Sequence, residues 1–195
     1  MISQDEARFP LVPTLHSTLG VKGYRPVVGT WDNKDLVYSF AAMNVVTGQL
    51  TTRLVESPAK AKRQTGLAKT VRLQHAFGAH LADLARTYPA SLGKPVIITI
   101  DNAPWHQEPA IAQVLATHQH LQLYRLPSYS PQLNLIERFW RVLRRRATHN
   151  RLFSSMRELR TALRASLCYF QTMRHKVRSL IHSPRKKKEA KLTAA

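Results

Sequence analysis

The run Pro95-Val-Ile-Ile-Thr-Ile100, followed at once by Asp101, constrains this chain more than any other feature. An unbroken β-branched stretch of this kind reads as a strand buried on both faces, the setting of a central strand in a sheet covered by helices. Its surroundings agree. Upstream, Leu67, Val71, Leu73, Phe77, Leu81, Leu84 and Ala85 recur at helical spacing over 65–87, and Tyr88-Pro89 with Gly93 ends the pattern. Downstream, the sequence predicts a helix over 109–117, a strand over 121–126, a helix over 134–146 and another over 156–173. Ahead of these, LVYSFAAMNVV (36–46) and QLTTRLVE (49–56) flank Thr47-Gly48 and predict a hairpin. Residues 1–9 supply one further strand, and the proline- and glycine-rich stretch after it reads as an irregular connection. The order implies one α/β unit, a mixed sheet flanked by helices. Ligands of such sheets collect at the carboxyl ends of strands, where Asp101 stands.

A chain of 195 residues with 44% hydrophobic content supports one core. The single cysteine, Cys168, excludes an internal disulfide framework, and no Cys/His spacing suits structural zinc. The start MISQDEARFP lacks the features of a signal peptide and no apolar run could span a bilayer, so a cytoplasmic, nucleoid-associated protein with no membrane partner is expected. Charge separates function classes more sharply. Residues 1–137 carry 13 basic and 9 acidic side chains, whereas 138–195 carry 17 and 2, most of the formal +19. A basic block of this density reads as a footprint for a polyanion, nucleic acid before membrane. The other reading is a solvated basic tail.

ITIDNAPWH (98–106) followed by LPSYSPQLNLIERFW (126–140) resembles the signature of the DDE-superfamily transposases, and most nearly the mariner-related transposases of bacterial insertion sequences. QDEARF (4–9) is similar to the segment that carries the first aspartate of that family, and MNVVTGQL (43–50) to its hairpin. Thirty-five residues separate Asp101 from Glu137, close to the spacing usual in the group. The resemblance spans roughly 4–173. It implies a ribonuclease-H-like fold, a catalytic domain over 1–173 and a basic, disordered tail over 174–195. It also implies that Asp5, Asp101 and Glu137 are the catalytic acids and hold Mg²⁺ or Mn²⁺, as two ions. Hard oxygen ligands suit Mg²⁺, and a pair of such ions suits in-line displacement at phosphorus. The implied activity is metal-dependent strand cleavage and strand transfer in transposition, on transposon-end and target DNA, with a homodimer as partner state.

Each acid has a plainer reading beside this one. Asp5, next to Glu6, could be an ordinary exposed carboxylate. Asp101 could open an Asx turn before Pro104. Asn134 and Glu137 stand in the relation of a capping box. If the helix begins at Asn134, Ile136, Phe139, Trp140 and Leu143 form its apolar stripe, while Glu137, Arg141, Arg144 and Arg145 share another face. That face, with Arg138 beside it, would offer one metal ligand and a row of guanidiniums to a DNA backbone. His106 reads either as a contact to DNA near the scissile phosphate or as a structural histidine. Pro127, Tyr129 and Pro131 stiffen the loop that aims Glu137, and 185–188 is a phosphate-binding segment or a free charged tail. Ser128 and Leu135 stand where the family usually has proline. Four residues precede Asp5, which implies a shortened first strand and no helix-turn-helix module before it. A truncated remnant that binds nucleic acid or inhibits a full-length transposase is therefore the alternative, and a hydrolase of RNA–DNA hybrids is a second.

Overall fold

A computed structural model describes residues 1–59, 65–106, 110–128, 130 and 133–182. Its strands are β1 (Ile2–Pro10), β2 (Leu36–Asn44), β3 (Leu50–Ser57), β4 (Val96–Ile100) and β5 (Leu121–Arg125). They form one mixed sheet in the order β3-β2-β1-β4-β5, with β1 antiparallel to β2 and parallel to β4. β1 is nine residues long. Its nine residues pair with β2 from Ile2 to Pro10, because the partner strand supplies hydrogen bonds along the whole length.

The helices are α1 (Lys69–Thr87), α2 (Ala110–Thr117), α3 (Glu137–Ala147), α4 (Met156–Thr172) and α5 (Arg174–His182). Alternation along β1 divides the interior in two. Ala7 and Phe9 face a core built with Phe139, Trp140 and Leu143 of α3, Leu163 and Phe170 of α4, and Val177 of α5. Ile2 faces a second core with Phe77, Leu81 and Leu84 of α1 and Ile98 and Ile100 of β4. None of the helices among the described residues is long and apolar enough to cross a membrane.

Two expectations need correcting. β4 is not buried on both faces: Ile98 and Ile100 are enclosed, but Ile97 on the other side is 36% exposed, as is Tyr124 of β5 at 56%. Helices α3 to α5 pack on β1 to β3, and among the described residues Ile97 and Tyr124 are left uncovered on β4 and β5; the cleft lies just past the carboxyl ends of these two strands. Nor does the fold end at residue 173. Residues 174–182 are helical, and Val177 is drawn in by the apolar surface of the sheet and α4. α5 lies against the hairpin turn so closely that a Cβ on Gly48, which has φ +71°, would collide with the Arg174 carbonyl. Residues 185–188 lie outside the described residues.

Candidate active site

β1 and β4 pair in parallel register, Ile2 with Ile98 and Ser3 with Thr99. Carried two residues further, that register sets Asp5 level with Asp101, one inside a central strand and the other just past the end of its neighbour. Asp5 points to the α3 side, since odd-numbered residues of β1 face that core. Glu137 opens α3, whose start is drawn to β1 by a buried hydrogen bond from Ser3 Oγ to Asn134 Oδ1 at 3.0 Å. Asn134 therefore does not cap α3 with its side chain, and the helix begins two residues later than the capping-box spacing predicts.

Asp5, Asp101 and Glu137 line one open cleft of about 440 Å³, together with Asn102, Leu126, Pro127 and Asn134. Tyr129 and Pro131, predicted to stiffen the loop that aims Glu137, lie outside the described residues. The protein holds one oxygen of each aspartate. Trp140 Nε1 donates to Asp5 Oδ2 at 3.0 Å. Asp101 Oδ1 accepts from the Ala103 backbone N–H at 3.0 Å, the Asx turn read from the sequence, and faces His106 Nδ1 at 3.0 Å. Among the described residues no side chain donates to Asp5 Oδ1 or Asp101 Oδ2. The plain turn-forming role of Asp101 and a role as ligand are thus compatible, each using a different oxygen.

Of the two readings of His106, its enclosure fits the structural histidine. It is 2% exposed, in a short 3₁₀ turn (Pro104–His106), with its ring centroid 4.3 Å from that of Phe77. Its Nε2 lies 2.8 Å from Glu6 Oε1, and its Nδ1 also lies 3.1 Å from the Asp101 carbonyl. A ring enclosed in this way cannot reach a DNA backbone. Glu6, Asp101 and His106 gather within ion-binding range, but the two carboxylates occupy opposite ring nitrogens, so the group is a hydrogen-bonded bridge through His106. Sequence reading passed over Glu6, although its place on β1 beside Asp5 put it on the opposite face.

The arginines of α3 divide. Arg138 is half-buried, and its Nη1 donates to the Leu180 and Ile181 carbonyls at 3.0 and 3.2 Å, where it caps α5. Arg144 lies over the Phe9 ring. Arg141 and Arg145 are exposed, as is Glu137.

Burial, reinforced by the neighbouring Glu6 charge, pushes Asp5 up to about 7, although the Glu6 backbone N–H and the Trp140 indole pull it down. Burial opposes charge on His106, yet Asp101 and Glu6 at its two nitrogens push it up to about 9. The His106 hydrogen bond holds Asp101 below the ordinary carboxylate range against partial burial. Folded Asp5 binds its proton more tightly than the unfolded chain, so its contribution is full below pH 3.8 and is lost by about pH 7. The His106 contribution is full below pH 6.5 and is lost by about pH 9. Asp101 acts oppositely, and its contribution fades below pH 3.8. The metal-free protein should therefore melt at a clearly lower temperature at about pH 8.5 than at about pH 5. Calorimetric scans in a chelator check this; a melting temperature that rises over that interval contradicts the assignments.

A family model described as DDE superfamily endonuclease matches residues 1–160. An uncharacterized protein y4pE/y4sA of Sinorhizobium fredii is 30% identical over 82 residues, which cover 42% of this chain and 56% of that one. The Mos1 mariner transposase catalytic domain shares the fold at a TM-score of 0.56 and 16% identity, covering 92% of this chain and 78% of that one. The Mos1 transposase in its paired-end complex with the left transposon end superimposes at a TM-score of 0.58 and 17% identity, covering 92% and 54%. The chain thus spans about half the length of the S. fredii protein and of the transposase in that complex. The mixed five-stranded sheet with flanking helices is the ribonuclease-H-like arrangement implied by the sequence resemblance.

Proposed function

The chain belongs to the DDE superfamily endonucleases, and from that premise we propose that it is a transposase catalytic domain that cleaves DNA strands and transfers them during transposition of an insertion sequence. The observation that carries this reading is the meeting of Asp5, Asp101 and Glu137 in one cleft from three separate elements. Asp5 supports a metal there in particular. Among the described residues no basic side chain pairs with it, and burial holds its carboxyl up near neutral pH, a cost that a cation would relieve. The donor set is all carboxylate oxygen, which suits Mg²⁺ or Mn²⁺. Asp5, Asp101 and Glu137 would hold two such ions. When bound, they supply Lewis-acid stabilisation of charge at phosphorus and lower the pKa of water.

The chain's own groups do the rest. Trp140 and the Asp101–Ala103 turn orient the aspartates, and the cleft opens at the carboxyl ends of β4 and β5. Arg141, Arg144 and Arg145, on the helix that Glu137 opens, would meet phosphates and add salt-dependent affinity. The long connection between β1 and β2 exposes Leu15, Leu19, Val21, Tyr24 and Val27, which supports a homodimer that sedimentation with and without DNA would measure.

The direct test is incubation with supercoiled plasmid and with duplexes bearing the element's own terminal repeats, in Mg²⁺ and in Mn²⁺. Nicked or cut DNA should accumulate and a chelator should stop it. Absence of cleavage with either metal would sink the reading, and cleavage of RNA–DNA hybrid alone would redirect it to a hydrolase.

A further inference from the structure

β1 reaches the site from both of its faces. Asp5 enters the cleft directly from one side. Glu6, on the other, is turned inward with its side chain 4% exposed, and its Oε1 accepts from Gln4 Nε2 at 3.1 Å and meets His106 Nε2 at 2.8 Å. The far nitrogen of the same ring lies 3.0 Å from Asp101 Oδ1. Both ring nitrogens thus face carboxylate oxygens, and Phe77 closes one side of the ring. Arg125 Nη2 holds the His106 carbonyl at 3.0 Å, so the backbone that presents the ring is fixed as well. A ring clamped at both ends has one orientation. Asp101, although 47% exposed at its side chain, inherits a defined carboxylate plane from it.

We propose that Glu6 is a positioning residue for Asp101: through the His106 ring it fixes the Asp101 carboxylate so that Oδ2 is offered to the cleft. The proposal rests on the reading that Asp101 is a metal ligand. Glu6 is not among the residues that line the cleft, and it sits on the face of β1 away from Asp5. Removing it leaves the three acids in place but releases the ring that orients one of them.

The test is Mn²⁺ titration of the whole chain, reading free Mn²⁺ by electron paramagnetic resonance, with no DNA present. Glu6→Ala should weaken Mn²⁺ binding about tenfold, the size of effect seen when a group behind a metal ligand is removed. Glu6→Gln, which keeps an acceptor for His106, should lose less. If Glu6 works through the ring, Glu6→Ala added to His106→Ala should cause no further loss. Melting of the metal-free proteins identifies a variant that fails to fold, and Glu6→Gln with His106→Asn then carries the same cycle. Glu6→Ala binding within about twofold of wild type, beside a weakened Asp101→Asn, overturns the proposal alone. So do fully additive losses in the cycle. Wild-type affinity in Asp101→Asn overturns the metal assignment itself, and the proposal with it.

Discussion

Asp101→Asn and Glu137→Gln should each lower metal-dependent DNA cleavage by about a thousandfold or more, because a charge-bearing ligand supplies several kcal/mol at the transition state and each tenfold in rate is about 1.4 kcal/mol. Both substitutions keep shape and remove charge. At Asp101 the amide oxygen can still accept from the Ala103 N–H, so the Asx turn survives and the circular dichroism of the variant should stay near wild type, while its melting temperature falls because buried His106 loses a charged partner. Glu137 is exposed at the first turn of α3, and its loss should cost little stability. DNA affinity without metal should hold or rise, since each change removes a negative charge from a basic surface. Single-turnover cleavage and binding measured side by side check all three parts. Residual cleavage within about tenfold of wild type in either variant would remove that residue from the catalytic set.

Trp140→Ala should lose about 3–5 kcal/mol, a large share of the stability of a domain this size. The indole is 1% exposed, meets Phe139 and Phe9 at ring distances of 5.3 and 6.2 Å, and packs in the core that joins β1 to α3, α4 and α5. Its removal opens a cavity and also strips Asp5 of its side-chain donor. Trp140→Phe separates the two effects. It fills most of the volume, so stability should fall by only about 1–2 kcal/mol, yet Asp5 is left without the indole and should titrate higher still. Denaturant unfolding gives the first quantity, and carboxyl ¹³C shifts followed against pH give the second. An unchanged Asp5 titration in Trp140→Phe would show that the indole contributes packing alone.

Trp140 also marks the boundary of what the sequence made legible. Helical periodicity put it on the inward face of its helix with Ile136, Phe139 and Leu143, and all four are buried. Periodicity states which face turns inward and is silent on what it meets, so the bond to Asp5, 135 residues away, had no local trace. Asp101 was legible because a β-branched run ended on it, and Glu137 because a long motif surrounded it. His106 was not. A histidine two residues after a proline carries the same local signal at a surface as in a core, and only the fold brings Glu6 to its far nitrogen. The capping role of Arg138 was hidden for a related reason: a row of arginines looks uniform until a later helix arrives for one of them to cap. The extent of that helix was hidden by charge, because Val177, Leu180 and Ile181 sit among basic residues that dominate the composition.

The hydrogen bond between Ser3 and Asn134 closes a span of 131 residues, and the pairing of β1 with β4 closes another of 96. Loop closures this long are made late, after local helices and the hairpin can already exist. The cleft therefore has no partial form. Asp5, Asp101 and Glu137 meet only once those closures are made, whatever helices have formed before.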